Sequence, residues 1–231
     1  MTIADNVISV REKMAHAAIK RGIKPEDVML VAATKTQNAA AVKQAIAAGV
    51  DACGENREQE LTEKYGQGAY IGAPLHFIGH LQKNKVKKIV GTADIIQSVD
   101  SAPLLKQISD CAVGKDIVQE ILIQVNIGND LAKFGISADE IYKFLEFAEE
   151  QRGIKVRGLM TILPINQDSD INRRFFSSIY NLFVDIRGKR YDNVDMHFLS
   201  MGMSGDYYDA ILAGANVVRV GSAIFGQRNI T

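Results

Sequence analysis

Six polar residues stand at the ends of apolar runs in this chain: Lys35, Asn56, His80, Asn126, Ser200 and Arg219. Lys35 closes the run Val28-Met29-Leu30-Val31-Ala32-Ala33-Thr34-Lys35. A period of two puts Met29, Val31, Ala33 and Lys35 on one face of a strand. An amine whose stem is packed on such a face loses hydration. Desolvation favours the neutral form, which is the form that attacks an aldehyde. The same pattern also suits a strand-end lysine reaching out to water. Arg219 lies in Val217-Val218-Arg219-Val220-Gly221-Ser222, on the face opposite Val218 and Val220. A guanidinium in a strand buried on both sides needs a partner, either a distant acid or a ligand.

Two turns carry small residues, Ser200-Met201-Gly202-Met203-Ser204 and Gly221-Ser222. Backbone N–H groups approach a phosphate closely where Gly removes the Cβ, and Ser adds a hydroxyl donor. A pair of tight turns without a ligand is the plainer reading. His76 and His80 share a face if the run Leu75–His80 is one strand, but no third ligand completes a metal set. Lys83, Lys85, Lys87 and Lys88 read as the solvated face of a helix. Cys53 reads as a small core residue, and with Cys111 it forms no metal or disulfide spacing. Met160, Met201 and Met203 read as filler around a pocket.

The elements that position these residues alternate. Apolar runs rich in Val, Ile and Phe predict eight strands: Val28–Lys35, Asp51–Asn56, Leu75–His80, Ile95–Asp100, Glu120–Asn126, Val156–Ile162, Met196–Gly202 and Val217–Gly221. Between them, helices are predicted at Ala39–Ala48, Ser137–Glu150, Ile171–Arg187 and Asp206–Ala213, with an extra one at Ile3–Lys20 before the first strand. Gly49 and Gly214 suit helix ends, and Ser137 with Glu140 suits a capping box. The alternation implies a single (β/α)₈ TIM barrel in the α/β class. A doubly wound open sheet is the alternative, but eight strands in 231 residues fit closure better. In a barrel the six polar residues converge on the C-terminal mouth, and the two small-residue turns follow the seventh and eighth strands, where barrels often bind phosphate.

Composition excludes several classes. Lys+Arg and Asp+Glu both number 27, so no global charge favours nucleic acid or an anionic membrane. Met1–Val10 lacks the basic start and apolar run of a signal peptide, and no apolar stretch reaches transmembrane length. A cytoplasmic setting and one domain over residues 1–231 are expected, since no Pro/Gly/Ser-rich linker divides the chain.

Several stretches follow, in order, those of a known family. They are Ala33-Thr34-Lys35-Thr36-Gln37, Gly54-Glu55-Asn56, His76–Lys85, Gln124–Ile127, Arg157–Met160, Leu199–Ser204 and Val218–Gly226. On them the chain resembles the pyridoxal 5′-phosphate homeostasis family over nearly its whole length. Members look like the barrel domain of bacterial alanine racemase. The resemblance implies that Lys35 holds pyridoxal 5′-phosphate as a Schiff base and that Arg219 faces its pyridine nitrogen. It also implies that Ser200, Gly221 and Ser222 cradle the phosphate and that Asn56 lies in the pocket. Arg57 and Asn38 depart from the family's usual Tyr and Pro. The implied function is buffering or delivery of the cofactor with little or no turnover. The implied partners are pyridoxal 5′-phosphate and the apo-enzymes that receive it, with the chain working as a monomer. An amino-acid racemase of the alanine racemase type is the alternative. It is disfavoured because the chain ends at Thr231, leaving no residues for a second domain. A Schiff-base aldolase would not explain these motifs.

Overall fold

The computed structural model describes residues 1–128, 134–163 and 169–227, so Thr231 lies outside the described residues. Helix α1 (Ile3–Arg21) comes first, followed by β1 (Met29–Ala33), α2 (Ala39–Ala47), β2 (Ala52–Glu55), α3 (Glu58–Gly66) and β3 (Leu75–Phe77). Then come α4 (Val86–Ile89), β4 (Ile95–Val99), α5 (Ala102–Val113), β5 (Gln119–Asn126), β6 (Ile136–Ser137) and α6 (Ile141–Glu149). The chain continues through β7 (Ile154–Met160), α7 (Ser169–Arg187), β8 (Val194–Ser200), α8 (Tyr207–Ala213), β9 (Val217–Val220) and α9 (Ser222–Phe225). Every strand pairing is parallel, and the order β1-β2-β3-β4-β5-β7-β8-β9 closes on itself through the β1–β9 pair. The short β6 hangs on β5 outside this ring. The result is the closed eight-stranded barrel expected from the alternation, with α1 before it.

Period-two alternation sorts the strand residues. Leu30, Ala32, Val218 and Val220 join the large core between barrel and helices, while Val31, Ala52 and Val217 pack inside the barrel with Met29 and Phe198. A second interior cluster joins Ile95, Leu122 and Met160. Each fully buried Leu, Ile or Phe in these layers contributes roughly 1.5–3 kcal/mol. Arg219 belongs by alternation to the interior set with Val217, while Lys35 lies beyond the end of β1.

The differences from expectation lie at element ends and in amphipathic helices. β3 stops at Phe77, so His76 and His80 do not share a strand. His76 is buried against Gln97, and His80 stands at the mouth beside Asp100, stacked on Phe134. No group of three metal-ligating side chains occurs among the described residues. Helices α3 and α5 were missed, and α3 carries much of the site's support. Ser137 does meet Glu140, but side chain to side chain, and the first turn is a tight one. Lys85 and Lys88 are not simply solvated: both close over buried Glu58, at 3.1 and 2.6 Å. Lys88, then Lys85, hold the Glu58 carboxyl below its ordinary range against the effect of burial. Asn38 accepts the Ala41 N–H and caps α2, so its departure from Pro keeps the helix start intact. Among the described residues no helix is long and apolar enough to cross a membrane.

Candidate cofactor site

The β1–β9 closure makes the site. Its register sets Val31 beside Arg219 and Ala32 beside Val220, so the turn after β1 meets the turn after β9. Between them lies a cleft of about 520 Å³ lined by Lys35, Thr36, Met203, Ser204, Arg219, Gly221 and Ser222, with Ala33 at its back. Four of the six expected site residues therefore share one cleft: Lys35, Arg219, Gly221 and Ser222.

Lys35 lies just past β1, in a turn rather than in the strand. The next residue, Thr36, has φ 65, the left-handed region that non-glycine residues seldom adopt. Helix α3 holds this turn from outside the barrel. Thr36 donates its backbone N–H to Glu60 Oε2 at 2.6 Å. On the other side of Lys35, Lys64 Nζ donates to the Thr34 carbonyl at 2.8 Å. Lys64 also donates to Glu55 Oε1 at 2.7 Å, and the same oxygen accepts from Thr34 Oγ1 and Tyr70 Oη. Glu55, Lys64, Thr34 and Tyr70 are all buried. Burial first, and then the Glu55 charge, pushes the Tyr70 phenol up, so it stays a donor. The residues flanking Lys35 are thus fixed by Glu60 and Lys64, one helical turn apart. The sequence gives a signal for this pair in the Glu60 to Lys64 spacing, but only the fold aims it at Lys35.

Across the cleft, Gly221 and Ala223 point their backbone N–H groups at Ser204 Oγ, at 3.1 and 3.3 Å. These donors, with the Ser222 hydroxyl beside them, make a small concave anion-binding geometry. Ser204 was quoted only as part of a motif.

Ser200 lies deeper than Ser204, Gly221 and Ser222 of the two turns. It is fully buried inside the barrel, donates to Gln97 Oε1 at 2.7 Å and accepts from Arg219 at 2.5 Å. Arg219 is itself buried and also donates to the Thr161 carbonyl at 2.8 Å. Protein hydroxyl and carbonyl oxygens hold it, and Asp206 acts on it only as a nearby charge. Burial pushes the Arg219 guanidinium down to about 10, which leaves it cationic at neutral pH. Asn56 lies elsewhere on the mouth. It lines a neighbouring pocket of about 290 Å³ with Arg57, His80 and Lys85, and its buried Oδ1 has no hydrogen-bond partner among the described residues.

The residues fit pyridoxal 5′-phosphate: an amine for its aldehyde, backbone donors for its phosphate and a fixed cation toward its ring share one cleft. Residues 10–229 match the family model for the alanine racemase N-terminal domain. An alanine racemase of Clostridium difficile shares the fold, with TM-score 0.68, 14% identity and coverage of 96% of this chain and 57% of that one. The fold is that of the alanine racemase N-terminal domain. The chain is 34% identical to the pyridoxal phosphate homeostasis protein of Aquifex aeolicus over 99% of both chains, and it belongs to the pyridoxal phosphate homeostasis protein family. PipY of Synechococcus elongatus, solved with PLP bound, superposes with TM-score 0.85 at 29% identity, covering 97% of this chain and 100% of that one.

Proposed function

We propose that this chain binds pyridoxal 5′-phosphate in the β1–β9 cleft, covalently through Lys35, and serves to buffer or deliver it. The observation that carries the reading is the convergence of Lys35, Arg219, Gly221 and Ser222 on that cleft. When bound, the cofactor supplies a reactive carbonyl and an electron-accepting ring. Lys35 provides the amine. Gly221 and Ser222, with Ser204, hold the phosphate. Arg219 faces the ring nitrogen, and Ser200 reaches the cofactor through Arg219. Asn56 offers its unpartnered oxygen from the adjoining rim. A cationic Arg219 opposes protonation of a ring nitrogen, which makes the ring a poorer electron sink. That favours holding the cofactor over turning over amino acids. The reading takes residues 1–231 as one cofactor-binding domain, working as a monomer in the cytoplasm and handing its cargo to apo-enzymes. Nucleic acid has no part in it, in keeping with a net charge of zero.

The test is direct. Purified protein is incubated with pyridoxal 5′-phosphate, reduced with borohydride and mapped by peptide mass. A pyridoxyl label on the Lys35 peptide is expected. Label confined to another lysine overturns the assignment.

A further inference from the structure

A line of buried polar side chains crosses the barrel interior beneath the cleft. It starts at Arg219 on β9, passes Ser200 on β8 and Gln97 on β4, and ends at His76 on β3. Relative exposures are 4%, 0%, 0% and 2%. The contacts are Arg219 to Ser200 Oγ at 2.5 Å, Ser200 Oγ to Gln97 Oε1 at 2.7 Å, and Gln97 Nε2 to His76 Nδ1 at 2.8 Å.

Donor and acceptor chemistry assigns a direction to every bond in this line. Arg219 has only donors, so Ser200 Oγ must accept from it. The Ser200 hydrogen is buried and needs an acceptor, and Gln97 supplies its carbonyl oxygen. That turns the Gln97 NH₂ toward His76, where it can only donate. Nδ1 of His76 therefore accepts, and the imidazole is neutral with its proton on Nε2. Burial agrees, since it pushes His76 down to about 4. All three bonds run one way, from Arg219 to His76. Each member is locked by the next, and Arg219 NH2 is pinned independently to the Thr161 carbonyl.

We infer that Ser200 and Gln97, terminated by His76, are positioning residues that fix the Arg219 guanidinium toward the bound ligand's ring, and that Ser200 is not a phosphate donor. The inference rests on the reading that the cleft holds pyridoxal 5′-phosphate. With its lone pair facing Arg219 and its hydrogen engaged by Gln97, the Ser200 hydroxyl has no donor capacity left for a phosphate. The phosphate loop has its own hydroxyls in Ser204 and Ser222.

The two roles separate when the phosphate is removed from the ligand. Equilibrium binding of pyridoxal 5′-phosphate and of pyridoxal is measured for wild type, Ser200→Ala, Gln97→Met and Ser222→Ala. Near-ultraviolet circular dichroism verifies each fold. Loosening Arg219 should weaken both ligands by the same factor, about three- to tenfold, in Ser200→Ala. Gln97→Met leaves Ser200 itself intact and should do the same. Both should shift the visible band of the bound ligand, and combining them should be little worse than either alone, as expected for members of one chain. Ser222→Ala should weaken the phosphorylated ligand only and leave the band in place. Ser200→Ala that weakens pyridoxal 5′-phosphate but not pyridoxal overturns the proposal and makes Ser200 a phosphate donor. Unchanged binding of both ligands in Gln97→Met also overturns it. Failure of the wild type to bind either ligand instead removes the reading beneath it.

Discussion

Lys64→Met isolates the buried ion pair behind the Lys35 turn. The variant keeps most of the apolar stem and removes the charge. In the wild type Lys64 Nζ is 2.7 Å from Glu55 Oε1, with the Lys64 side chain 7% exposed and that of Glu55 0% exposed. The other carboxylate oxygen of Glu55 has no hydrogen-bond partner among the described residues. Removing the cation leaves a buried carboxylate with two hydroxyl donors, Thr34 and Tyr70, and no countercharge. Breaking a buried pair on one side costs about 3–5 kcal/mol. The two surviving donors place the expected loss at the low end, about 3 kcal/mol. Urea unfolding followed by circular dichroism should show a lower midpoint with an unchanged slope. The double variant Glu55→Gln/Lys64→Met should recover most of the loss, because an amide keeps an acceptor for both hydroxyls without a buried charge. Lys64→Met also frees the Thr34 carbonyl, so pyridoxal 5′-phosphate affinity should fall in the single variant. A loss under about 1 kcal/mol, the size of an exposed pair, would refute the reasoning.

Three further outcomes follow from close contacts and burial. Gly221→Ala should fold, since its Cβ would sit 3.4 Å from the Ala33 Cβ, an ordinary contact. It should nonetheless weaken pyridoxal 5′-phosphate, because the new methyl intrudes where backbone meets phosphate; equal affinity would move the phosphate elsewhere. Gly79→Ala should lower the thermal midpoint sharply, because a Cβ there collides with the Asn56 backbone and must displace it; a midpoint within a degree of wild type would show that the loop yields freely. His76 is held neutral, down to about 4 against 6.5, so the unfolded chain binds more protons in that window. Stability tied to it is present above pH 6.5 and declines toward pH 4 by about 3 kcal/mol. His76→Asn should flatten that part of the urea-midpoint profile, and an identical acid slope in both proteins would exclude the histidine.

The sequence made the barrel legible because its strands are buried on both faces and read as near-continuous apolar runs. Lys35 and Arg219 stood out for the same reason: a charge inside such a run is conspicuous. The ends of the runs were less legible. Lys35 was read into β1 and His80 into β3, because strand propensity continues past the last ladder bond. Helix α3 was missed because it is highly charged, Glu58-Gln59-Glu60-Leu61-Thr62-Glu63-Lys64, and its apolar stripe is thin. Ser200 was grouped with the phosphate loop by its neighbours in sequence. Its contacts in the structure, Gln97 and Arg219, come from other strands, and that information lies in the barrel's closure rather than in any local pattern.

Closure also explains why fold and site are coupled here. The β1–β9 pair is the seam where the barrel's first and last strands meet, and the cleft straddles it. Lys35 comes from one side of the seam, and Arg219, Gly221 and Ser222 from the other. Each side has its own anchor: α3 grips the Lys35 turn from outside, and the Ser200–Gln97–His76 line grips Arg219 from within. Neither anchor crosses the seam. A ligand joined to Lys35 and held by Gly221 and Ser222 would cross it, adding a bridge to the strand pair. Such a ligand binds the closed barrel and not the unfolded chain, so it must raise unfolding stability in proportion to the logarithm of its concentration. The stabilisation should therefore be greatest at the seam, seen as slower amide exchange in β1 and β9 than in β4 and β5 on the far wall. Equal slowing around the whole ring would mean that the ligand acts on global unfolding alone, with no local role at the closure.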